Sequence, residues 1–294
     1  MAFFSKKKAP TAVRERQEFS KIHQLMQLSK YDRALSIVET LLSQDHTLSA
    51  GELDTLYQYY GECLVQSCRL NEAILILSQG LTKGNQSENR CRETLEELAI
   101  PAVEKQIIQC SSVEDAFQLV QCMDSLSMES GLHQIIQVFL RFAAEAYRMR
   151  EYQKASDAYE CIFPIAEKHQ CLDFEYLIRA GDSYVKCGQL NKAWKIYETA
   201  KEYTATYHQT CRLHKKIADL LVIRNQDWHA ILHFLVALQA VPSDKGAKTK
   251  LQKILKKLGL EHHTNTFLQL NAKYSDHKQL EISLMSLKKQ LKAG

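Results

Sequence analysis

The feature that most constrains what this chain can fold into is a short pattern that keeps returning. A bulky apolar residue and two mostly polar residues are followed, usually, by Ala, and an amphipathic run then begins. It reads Tyr31-Asp32-Arg33-Ala34, Leu70-Asn71-Glu72-Ala73, Val113-Glu114-Asp115-Ala116, Tyr152-Gln153-Lys154-Ala155, Leu190-Asn191-Lys192-Ala193 and Trp228-His229-Ala230-Ile231. The last position of each falls at 34, 73, 116, 155, 193 and 231, giving steps of 39, 43, 39, 38 and 38 residues. Near-equal steps of this length are the mark of a repeat architecture, in which each unit is one supersecondary element that buries its apolar face only against its neighbours.

The surroundings of the pattern recur as well. After Ala34, the residues Leu35, Val38, Leu41 and Leu42 share one helical face. Ile74, Leu77 and Leu81 do so after Ala73, and Ile196, Tyr197 and Ala200 after Ala193. About twelve residues upstream lies a small residue on a preceding amphipathic run: Gly61 before Ala73, Ala143 before Ala155, Gly181 before Ala193. Glycine inside a helix costs about 1 kcal/mol relative to Ala, so a packing reason is expected, namely two helices crossing closely with Ala facing the small residue. Each unit therefore reads as a helical hairpin. Composition agrees: only 10 Gly and 4 Pro in 294 residues leave little for the special backbone angles of a turn-rich β fold. The 45% apolar content suffices for a continuous core.

These residues resemble the tetratricopeptide repeat. Tyr57, Tyr60, Gly61, Leu64, Ala73 and Leu77 match its pattern in step, and so do Ala180, Gly181, Tyr184, Ala193 and Tyr197. The resemblance covers residues 14–242. It implies an all-α, right-handed superhelical stack of about six antiparallel helix pairs. Two departures stand out. The step exceeds the family's ~34 residues, which calls for longer helices, and the third unit, 91–128, carries Pro101 inside its first helix and lacks the small residue. The sixth turn, Arg224 to Asp227, reads as one residue longer than the rest and sets Ile231 where Ala is usual.

In the family this resembles, the first helix of each pair lines a concave surface that receives peptides or partner helices. Counting from the matched Gly and Ala positions, the residues expected there are Phe19, His23 and Met26, then Gln58, Glu62 and Val65, then Leu140, Ala144 and Tyr147, then Ile178, Asp182 and Lys186. The set lacks the Lys, Asn and Arg cluster with which the chaperone-tail-binding members clamp a terminal carboxylate. The expected partner is another protein, offering a peptide or a helix.

Catalytic chemistry finds little support. His208, Cys211 and His214 recur at three-residue steps, and His229 and His233 form an i, i+4 pair, donor types that zinc accepts. Steps of three drift around a helix, however, and the Glu of an HExxH motif is absent, so these read as packing and surface histidines with no metal site assigned. Phosphate-cradling glycine loops and a nucleophile elbow are absent. No catalytic residue and no cofactor is expected. The nine cysteines include no CxxC pair, which fits unpaired thiols in a reducing compartment, and the expected location is the cytoplasm.

Charge is uneven. Residues 1–20 hold five basic and two acidic side chains, residues 243–294 eleven and four, around an acidic body. Three parts follow: a basic, disordered tail over 1–13, the repeat domain over 14–242, and basic capping helices over 243–294. In the last part Leu251, Ile254, Leu255 and Leu258 make an apolar face, and Leu280, Leu284, Leu287 and Leu291 make another. Lys245, Lys248, Lys253, Lys256 and Lys257 form a basic patch on the outside, an alternative site for nucleic acid or an anionic membrane surface.

Overall fold

The computed structural model describes residues 11–43, 48–83, 90–125, 129–274 and 276–293, and among these there is no strand. The expected basic tail falls outside the described residues up to 10, and a helix already begins at Thr11. Two compact units are present, Met1–Phe142 with Pro164–Cys171, and Ala143–Phe163 with Leu172–Gly294. The first contains α1 (Thr11–Gln27), α2 (Tyr31–Leu42), α3 (Ala50–Gln66), α4 (Leu70–Lys83), α5 (Arg90–Thr94), α6 (Ile100–Gln109) and α7 (Val113–Ser125). The division passes through α8 (Glu129–Arg148) and α9 (Tyr152–Lys168). The second unit continues with α10 (Phe174–Lys186), α11 (Leu190–Ala200), α12 (Tyr207–Ile223), α13 (Asp227–Ala240), α14 (Lys245–Lys257), α15 (Thr264–Lys273) and α16 (His277–Ala293). Consecutive helices pack as pairs, as in α3 with α4, α10 with α11, and α12 with α13.

A single turn geometry joins the helices of a pair. Ser29, Cys68, Arg150, Gly188, Asn225 and Gly259 all have φ between 54° and 74°, in the left-handed region. In each case the next residue donates its N–H five residues back, as Arg69 does to Leu64 at 2.9 Å and Gln189 to Tyr184 at 2.8 Å. This is the Schellman closure, which satisfies the last carbonyls of the first helix. Counted from this residue, the second helix of the first five of these hairpins starts two positions on, at Tyr31, Leu70, Tyr152, Leu190 and Asp227. The sixth turn is therefore no longer than the others. Five positions on comes an Ala with no exposed surface: Ala34, Ala73, Ala155, Ala193 and Ala230. The small residue of the last of these pairs is Ala230 rather than the position of Ile231, and the pattern slips by one residue there.

The partner of the upstream small residue also differs from expectation. A side chain at Gly61 would run into Leu77, and one at Gly181 would run into the ring of Tyr197. The glycine is a socket for a large side chain one turn beyond the recurring Ala position. The same sixteen-residue offset relates Ala143 to Tyr159 and Ala218 to Phe234, all at most 1% exposed. The first pair sets Ile22 sixteen residues before Val38, both fully buried, with the larger residue on the first helix and the smaller on the second.

The third pair departs from this design, as its sequence indicates. Between α5 and α6 the helix widens into a π turn, Leu95–Ala99, with the Ile100 N–H bonded to Leu95. Proline removes an N–H and crowds the carbonyl of the preceding turn. A π turn already displaces that ladder, so Pro101 sits in the first turn of α6 without breaking the helical run. Twelve residues before Ala116 stands Glu104, whose carboxylate accepts from Gln134 Nε2 at 2.7 Å. The connection is extended at Cys110 (φ −62°, ψ 131°), and the Ser112 hydroxyl caps α7 by accepting from the Glu114 and Asp115 amides.

In the second unit α14, α15 and α16 all pack on α13. Leu251, Ile254, Leu255, Phe267, Leu280 and Leu284 are buried, and Leu258, Leu287 and Leu291 half-buried. Removing this much apolar area from water explains why the last pair needs them: each fully buried Leu or Phe contributes about 2 kcal/mol.

Candidate interaction site

The residues expected on the first-helix face divide by accessibility. Val65 (7% exposed), Leu140 and Ile178 (both 0%) are buried and belong to the core, so no guest reaches them. They are apolar positions adjacent to the inner stripe, where the packing of the neighbouring helix decides burial. Phe19, Met26, Gln58, Glu62, Ala144, Tyr147 and Asp182 are half-buried, and His23 and Lys186 are exposed.

In the first unit this face joins α1 to α3. The His23 ring lies 6.4 Å from that of Tyr59, and His23 also bonds to Gln27 at 3.0 Å. Gln58 donates to Glu62 at 2.8 Å along α3. Tyr59 was not among the expected residues. Its signal was the aromatic run at 57, 59 and 60, which helical spacing assigns to two different faces.

In the second unit the face is organised around Asp182 of α10. Its carboxylate accepts from Tyr197 Oη at 2.6 Å, from Lys216 Nζ at 2.6 Å and from Tyr147 Oη at 3.3 Å. These partners come from α11, α12 and α8. The side chain of Asp182 is only 13% exposed, so the charge is stabilised by a cation and two hydroxyl donors. Burial, followed by the Asp182 charge, pushes the Tyr147 hydroxyl up to about 12 and raises that of Tyr197 as well, which keeps both protonated as donors. Asp182 is therefore a tie between successive first helices. Beside it Tyr147 meets Tyr152 edge-on at 5.6 Å, and Lys186 Nζ stands 6.0 Å over the Tyr152 ring.

The basic patch is less uniform than its sequence suggests. Lys245, Lys248, Lys253, Lys256 and Lys257 are all exposed residues of α14. Lys257, however, is held by Asp227 at 2.7 Å, and its neighbour Lys250 by Asp219 at 2.5 Å. Ion pairs to α12 and α13 thus turn two lysines of this helix into its attachment to the preceding pair.

The histidines regroup. His208 and His229 are exposed, whereas His214 of α12 and His233 of α13 stack at 5.0 Å with Nδ1 to Nδ1 at 2.8 Å. The His277 ring from α16 lies 6.3 and 5.9 Å away. Burial pushes His214 down to about 4 and His233 down to about 2, with Lys201 and the other imidazoles adding to the effect. The pair is neutral and shares one N–H. Among the described residues, no group of three or more His, Cys, Asp or Glu side chains is arranged to hold a metal ion. A Cys–His contact exists between Cys171 Sγ and His133 Nδ1 at 3.1 Å, but burial raises the thiol and disfavours the thiolate a nucleophile needs. No helix among the described residues is long and apolar enough to cross a membrane.

Compared with known proteins, no family model matches the chain and no curated protein matches it. A solved complex, Naa15/Naa10 bound to HypK-THB, is similar over 92% of this chain and 39% of that chain, at 16% identity and a TM-score of 0.40. The chain thus spans about two-fifths of the length of the solved chain it matches.

Proposed function

We propose that this protein is a non-enzymatic interaction module, or scaffold, whose first-helix face receives a segment of another protein. The observation that carries this reading is the Asp182 tie. One carboxylate joins Tyr147 of α8 and Lys216 of α12 across α10, so three successive first helices lie side by side in a fixed register. A rigid face of this kind, with Tyr147 and Tyr152 partly accessible and Lys186 exposed, binds without the entropy cost of ordering itself. Aromatic and cationic side chains are the types that dominate such contacts. Nine cysteines without a CxxC pair fit a reducing compartment, and the cytoplasm is the proposed site of action.

The test is affinity capture from native lysate at low and high salt, with the whole chain and with Lys186→Glu and His23→Glu, each first checked for unchanged helicity. The reading expects a captured protein whose yield falls about tenfold or more with at least one of the two substitutions. The same proteins captured at the same yield by all three chains would sink it. The alternative, nucleic acid or an anionic membrane bound through α14, rests on the outward lysines Lys245, Lys248, Lys253 and Lys256. It expects binding to RNA or to phosphatidylserine vesicles that falls steeply with salt.

A further inference from the structure

We infer that the second unit carries a separate binding cleft for an acidic peptide segment anchored by an apolar side chain. Between the start of α12, the end of α13 and α15 lies an open cleft of about 730 Å³, within the size range of ligand sites. Val236, Leu238, Pro242 and Leu268 give it an apolar floor. A second hollow of about 780 Å³ adjoins it through Tyr207, Thr210, Ala240 and Pro242. Tyr207, at the junction, is 78% exposed, an unusual cost for an aromatic ring without a partner.

The chemistry of the occupant follows from what lines these hollows. Among the described residues, none that lines either hollow carries a carboxylate, while Lys248 lines the first and His208 the second. The first turn of α12 is also free of acidic residues. Its capping box occupies the backbone N–H of Gln209 and leaves those of Tyr207 and His208, both lining the second hollow, without an acceptor inside the helix, where the helix end favours negative charge. The cleft therefore complements an anion next to an apolar group. Thr210, Gln239 and Asn271 line the cleft beside the apolar floor, so an occupant with hydrogen-bonding groups of its own fits it better than a bare fatty-acid chain does. The apolar side chain of a bound segment fills the floor, and its carboxylate meets Lys248.

This cleft is distinct from the first-helix face, although it rests on the same reading of the chain as a binder of protein segments. The experiment measures fluorescence anisotropy of three labelled octapeptides with the whole protein. One alternates glutamate with leucine and phenylalanine, one replaces the glutamates by lysines, and one replaces the apolar residues by serines. The first is expected to bind about tenfold or more tightly than either of the others. Lys248→Glu should remove that preference and Leu268→Lys should weaken all binding, with circular dichroism unchanged in both. Lys186→Glu should leave the peptide affinity as it is, whatever it does to capture from lysate. Equal affinity for the three peptides, no change with Lys248→Glu, or loss with Lys186→Glu overturns the assignment. So does binding of a fluorescent fatty acid, displaced by sodium decanoate, when none of the three peptides binds, which points to a lipid.

Discussion

The α10–α11 pair and the α6–α7 pair occupy equivalent places in the repeat and are held in opposite ways. In α10–α11 the helices close on each other: Gly181 opens a socket, the Tyr197 ring fills it, and the Tyr197 hydroxyl then reaches Asp182. The turn between them is the left-handed Gly188. In α6–α7 the socket position is Glu104, which turns away to Gln134, and the turn is an extended Cys110 capped by Ser112. Buried apolar residues line both helices there, Val103 and Ile107 on α6 and Ala116, Leu119 and Val120 on α7. A pair can thus be built on shape complementarity at one point, or on a broader apolar strip with no point of close approach. The first kind is intolerant of any added atom, and the second is forgiving.

The sharpest way to break this comparison is to substitute both positions. Gly181→Val should cost about 3 kcal/mol, because the new methyls displace a fully buried ring. Glu104→Ala should cost under about 1 kcal/mol, the worth of one hydrogen bond. Denaturant unfolding of both variants tests this, and similar losses would mean the two pairs do not differ.

A comparable loss should appear with acid, in another closely packed pair, α12–α13. His214 and His233 are held below the ordinary 6.5 by burial. Their unfolded forms take up protons first, so the stability they permit is complete above pH 6.5 and is lost as pH falls from there towards about 4, the value for His214. The groups around them offer no compensating negative charge, being Lys201, His229 and His277. The loss should approach about 1 kcal/mol per histidine per pH unit. Hydrogen exchange should show the amides of α12 and α13 losing protection between pH 6.5 and 5, while α6 and α7, which contain no histidine, keep theirs. Equal losses in both places would refute the assignment to the buried pair.

The smallest expected effect separates the two roles of Tyr197. Tyr197→Phe keeps the ring in the Gly181 socket and removes only the donor to Asp182, which retains Lys216 and Tyr147. A loss of about 1 kcal/mol is expected in the same unfolding measurement. A loss as large as that of Gly181→Val would show that the tie, rather than the socket, holds the pair.

Much of the fold was legible before any coordinates. The recurrence at 34, 73, 116, 155 and 193 marks the second helices correctly, and the oddity of the third unit coincides with the π turn and the missing socket. The slip at Ile231 arose because Ala230 and Ile231 are both buried and either satisfies an apolar pattern. Only the backbone turn at Asn225 sets the register. The candidate site was less legible. Val65, Leu140 and Ile178 share a helical stripe with accessible residues, and one helix's periodicity does not say how far the neighbouring helix extends over it.

The sequence by itself determined the helices, their pairing and the positions of the small residues. Amphipathic spacing and the cost of a helical glycine are local properties, readable within one or two turns. Tertiary structure decided which side chain enters each glycine socket. It also decided that Asp182 gathers partners from three other helices and that His214 and His233 share one buried contact. These features depend on groups brought together from 15 to 35 residues apart, a distance over which no local pattern carries information.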